Sequence, residues 1–134
     1  GNVMDHDERA SILGKLLANC LERYGIEVER APIPFSPGLR RATKTWPLLP
    51  EDYDLTKKAA PANMLPIAED VAEQIIRSVA TAPVKRIVCA ELPKLHAAHR
   101  SRVENNGLVT FLAAGYDMAN DTETLRMDVA YDVG

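Results

Sequence analysis

His96 and His99 stand three residues apart, a spacing that on one helix turns both imidazoles to the same side, as a metal centre needs. Glu91 and Glu104 lie near enough in sequence to complete a ligand set. The metalloprotease pattern differs, because it spaces its histidines four apart with a glutamate beside the first. His96, His99 and Glu91 are therefore candidate ligands, weighed against two solvated histidines on a polar segment. Cys89 followed by His96 offers the residue types of a nucleophile and its base. Between Val88 and Ala90, though, the cysteine reads as a small core hydrophobe, with its thiol pKa raised by apolar surroundings. No catalytic residue is assigned.

A second chemistry lies in the run from Ser36 to Trp46, which gathers Arg40, Arg41 and Lys44 with hydroxyls and one indole. Arginine presents a planar fork to an anion and tryptophan a flat stacking face. Arg40, Arg41, Lys44, Trp46 and, further on, Tyr53 are the candidate contacts for an anion or a partner. Lys94, Arg100 and Arg102 form another cationic cluster, the natural companion of the first if the two segments fold together. The closing segment is acidic, with Asp117, Asp121, Glu123, Asp128 and Asp132, so the surface is polarised and unlike patches of two subunits can attract. No glycine-rich phosphate loop occurs, which excludes nucleotide hydrolysis by that route.

The chain that must position these residues has 134 of them, 46% hydrophobic and 26% charged, with a net charge of −3. These values fit one globular domain over residues 1–134. The negative balance disfavours nucleic acid as a partner. No apolar run reaches the length that crosses a bilayer, and the acidic start is not that of a secretory leader. Cys20 and Cys89 both sit in apolar runs, as reduced core thiols do. A cytoplasmic location is the expectation, with no membrane association and no cofactor.

Leu13, Leu16, Leu17, Cys20, Leu21 and Tyr24 recur three and four apart and predict a first helix, opened by Asp5 or Asp7 and stopped by Gly25. Residues 26–30 alternate as a short strand does. Seven of the nine prolines then fall between Pro32 and Pro66, so residues 31–66 are expected to form a long irregular or extended arm anchored by bulky side chains. Asn63 and Pro66 open a second helix whose stripe is Ile67, Val71, Ile75 and Val79. Val84 to Leu92 reads as a buried strand. Lys94 to Asn106 reads as a short polar helix closed by Asn105-Asn106-Gly107, and residues 108–118 and 125–133 as an antiparallel hairpin.

The expected fold is α+β: a small antiparallel or mixed sheet with a C-terminal hairpin, two helices packed on one face and a long proline-rich irregular segment. The expected function is a non-enzymatic interaction or assembly module that binds a protein partner or itself through the arm. The alternative is a small-molecule or metal-binding domain, a sensor or simple hydrolase, built on the His96 and His99 region.

Overall fold

The computed structural model describes residues 6–53, 62–92 and 99–134. Helix α1 spans His6–Arg23 and buries Leu13, Leu17, Cys20 and Leu21, while Leu16 is only partly covered and Tyr24 projects into solvent. Gly25 follows with φ +71°, the left-handed geometry that lets the chain leave the helix. Helix α2 spans Met64–Val79 and turns Ile67, Val71, Ile75 and Val79 inward. Asn63 occupies its N-cap position without a side-chain capping bond.

Six strands make one mixed sheet: β1 Glu27–Pro34, β2 Arg40–Pro47, β3 Arg86–Glu91, β4 His99–Asn105, β5 Leu108–Asp117 and β6 Thr122–Val133. Strand β6 is the spine. Residues 124–131 pair with β2 along one edge, and the other edge is taken first by β5 at residues 122–128 and then by β3 at residues 130–133. Strand β1 runs parallel to β3, and β4 completes a hairpin with β5. Arg30 and Arg102 both bond Glu91, and Glu104 accepts from Arg102, which ties β1, β3 and β4 together where β3 and β5 part. Leu125, Met127, Val129 and Tyr131 of β6 join the core with the helices, and the Tyr131 hydroxyl donates to Ser78 Oγ of α2 at 2.9 Å.

Two expectations change. Residues 99–105 are strand and not helix: Ser101, Val103 and Asn105 alternate with Arg100, Arg102 and Glu104, and Asn106 (φ 49°) with Gly107 (φ 91°) makes the tight turn into β5. Two successive left-handed residues are what a two-residue hairpin turn demands. Within the proline-rich segment, expected to be irregular or extended, residues 31–34 extend β1 and residues 40–47 form β2, so that part is regular sheet, while residues 54–61 lie outside the described residues.

The outer edge of β2 is blocked by a side chain. Gln74 of α2 accepts from the Thr43 backbone N–H at 3.0 Å and donates to the Thr43 carbonyl at 2.8 Å, so its amide occupies the place of a neighbouring peptide. An open edge invites pairing with another chain. Gln74→Ala is expected to cost about 1 kcal/mol, the usual worth of such bonds, read as a lower urea midpoint with an unchanged slope.

Candidate functional site

Strand alternation decides which side chains meet. With the odd residues of β6 turned to the helices, Arg126, Asp128 and Ala130 face the other way. Register then places Thr43 of β2 and Phe111 of β5 opposite Asp128, Thr45 and Ala113 opposite Arg126, and Arg41 opposite Ala130. Across the β4–β5 pair, Arg102 lies opposite Phe111 and Arg100 opposite Ala113. The sheet surface away from the helices therefore carries arginines from three strands around one aspartate.

Asp128 is the centre of this group and is only 1% exposed. Arg41 Nε donates to its Oδ1 and Arg126 Nε to its Oδ2, each at 2.9 Å. Burial alone would push the Asp128 carboxyl up, but the bonds from Arg41, Thr43 and Arg126 outweigh it and hold the group below its ordinary range. The Arg100 guanidinium carbon stands 4.3 Å from the centroid of the Phe111 ring, within cation–π range. Arg100 itself is held below the usual arginine range, by burial first and by the nearby charges of Arg41 and Arg126, against the pull of Asp128 and Glu91. Two guanidiniums, Arg41 and Arg126, thus share the Asp128 carboxylate, with Arg100 close by.

Arg41 and Arg126 each use only Nε on Asp128, and the terminal nitrogens of neither bond a described residue. Their side chains are 34% and 43% exposed. Two forks with unspent donors beside a positive excess suit a second oxyanion, a carboxylate or a phosphate. By contrast the Arg30, Glu91, Arg102 and Glu104 group balances two positive charges with two negative ones and has no such excess.

The residues expected from sequence are dispersed. Arg40 is exposed at the start of β2, Arg41 joins Asp128, and Lys44 pairs with Asp70 of α2 at 3.1 Å. Trp46 is 8% exposed and belongs to the core, so its ring is not an open stacking face. Tyr53 ends a short 3₁₀ turn, Pro50–Tyr53. Of the second cationic cluster, Arg100 does come beside Arg41, whereas Arg102 turns to Glu91, and Lys94 lies outside the described residues.

His96 also lies outside the described residues, and the backbone of His99 belongs to β4. Glu91 is engaged by Arg102 and Arg30, whose hydrogen bonds and charge hold it below the usual carboxylate range against mild burial. Among the described residues no group of three metal-ligating side chains comes together. Cys89 is fully buried, and burial pushes its thiol up, away from the reactive thiolate. A groove of about 650 Å³ between α1 and α2 is bordered by Arg23, Tyr24, Glu69, Asp70, Glu73 and Ile76.

No family model, curated protein or solved structure matches the chain. No helix among the described residues is long and apolar enough to cross a membrane.

Proposed function

We propose that the protein is a non-enzymatic interaction or assembly module that takes the anionic group of a protein partner on the arginine-bearing face of its sheet. The observation that carries this reading is the imbalance at Asp128, where arginines outnumber the carboxylate they surround and two of them keep donors to spend. Arg41 belongs to the proline-rich segment, so the partner contact begins there and continues onto β6. Such a contact draws partners by charge, forms quickly and weakens with salt.

The test uses a fluorescent oligoglutamate peptide and the full chain, with binding read by anisotropy. Salt-sensitive binding is expected, weakened at least about tenfold by Arg41→Ala with Arg126→Ala, as loss of close charge pairs does elsewhere. Asp128→Asn removes the carboxylate that competes for the same donors and is expected to tighten binding several-fold. No peptide binding, or binding indifferent to all three changes, overturns the reading.

A further inference from the structure

The hairpin of β5 and β6 runs past its neighbours. The first residue of β4, His99, pairs with Ala114, and the last of β2, Pro47, pairs with Thr124. Just beyond them the Leu48 N–H donates to the Glu123 carbonyl at 2.9 Å. Residues 115–122 thus form a two-stranded finger with no described strand on either side. From Gly115 to Thr122 it holds Asp117 and Asp121 and no lysine, arginine or histidine.

The finger also carries apolar surface where solvent would favour polar residues, with Met118 86% and Tyr116 53% exposed. Its tip is preformed. The Asp117 carboxylate accepts from Ala119 N–H at 3.0 Å, Asn120 N–H at 3.3 Å and Asn120 Nδ2 at 2.7 Å, and Asp121 adopts φ 50°. A rigid acidic ribbon tipped by a methionine and a tyrosine loses little conformational freedom when it docks. Exposed apolar anchors set among charges of one sign mark a contact surface better than either feature alone.

We infer that the finger of one copy seats on the arginine-bearing sheet face of a second copy, its carboxylates taking the open donors of Arg41 and Arg126. This rests on the anion-binding reading above and names its partner: the same chain, joined head to tail through two different patches. The charge complementarity lies between a finger without cations and a face where Arg41 and Arg126 share one aspartate and keep donors open. Met118 and Tyr116 then cover the aliphatic stems of the arginines.

Light scattering of the full chain over a range of concentrations, at low and at high salt, reads the contact directly. Mass rising above one chain at low salt and falling back at high salt is expected. A finger variant, Met118→Lys with Asp121→Lys, and a face variant, Arg41→Glu with Arg126→Glu, are each expected to remain monomeric. Mixed in equal amounts they form a dimer and nothing larger, because one intact finger meets one intact face.

Arg41→Gln with Arg126→Gln keeps donors for Asp128 and serves if the reversal fails to fold, as circular dichroism would report. A wild-type chain that stays monomeric at every concentration and salt, or a mixture that stays monomeric, overturns the inference. If oligoglutamate still binds through the arginines in that case, only the second copy is lost. If it does not, the anion-binding reading falls with it.

Discussion

Placing valine at Gly14 is expected to lower the unfolding free energy by about 3 kcal/mol, at the upper end of the cost of overpacking a core. Gly14 sits in the middle of α1, where glycine costs about 1 kcal/mol relative to alanine, so packing must favour its presence. A Cβ there would stand 2.9 Å from Val103 Cγ1 and 2.8 Å from Asn105 Nδ2, with Thr110 Oγ1 at 3.7 Å. The amide end of Asn105 can swing aside, but Val103 is β-branched and held in β4, so the helix itself would have to lift from the sheet.

Lifting α1 would also strain the bond by which Ser101 donates to Asp7. Urea unfolding should show a lower midpoint with an unchanged slope. Gly14→Ala should lose less, about 1 kcal/mol, because helix propensity returns part of the clash. Val103→Ala in that background should recover stability, since the two sites share one contact. A Gly14→Ala protein more stable than wild type would mean that α1 does not lie this close to the hairpin.

The same contact shows what the sequence could and could not reveal. Both helices, β3 and the β5–β6 hairpin were legible because each has an unbroken period and a clear stop, such as Gly25 after α1 or the polar turn before β6. Strand β4 was not. Asn105-Asn106-Gly107 serves equally as a helix end and as a hairpin turn, and the local pattern of residues 99–105 is too polar to decide. Their partner, β5, decides it by offering a ladder from Leu108 to Ala114.

In the proline-rich segment the count of prolines concealed a stretch from Arg40 to Trp46 that contains none. There Ala42 and Trp46 are buried while Arg41, Thr43 and Thr45 are exposed. The candidate site was half legible. Alternation in β6 already separates Arg126 and Asp128 from Met127 and Val129, and Arg41 was singled out for its fork. Nothing local joins residue 41 to residue 128; only strand register does. Trp46 was misleading for the opposite reason, since an indole beside cations suits a binding loop and a strand with one buried face equally well.

Asp128→Ala is expected to cost about 2 kcal/mol at neutral pH, the penalty for removing one partner of a buried, charge-assisted hydrogen-bond group. The figure stays well below that of a fully buried pair because the Arg41 and Arg126 side chains are partly exposed and water screens them. The pH dependence separates this role from simple packing. The folded-state pKa of Asp128 is depressed, so its contribution is complete above the ordinary carboxylate value of about 4 and is lost as pH falls through the lower folded value.

Wild type should therefore lose stability on acidification in a range where the alanine variant, lacking the group, loses less, and the two curves should converge. Asp128→Asn keeps the shape and one of the two acceptor oxygens but not the charge, and turns an amide N–H toward one of the arginines. It should remove the same acid-dependent component. Were wild type and Asp128→Ala to remain equally far apart from neutral pH down to pH about 2, well below the ordinary carboxylate pKa, Asp128 would be filling space without acting as a charge.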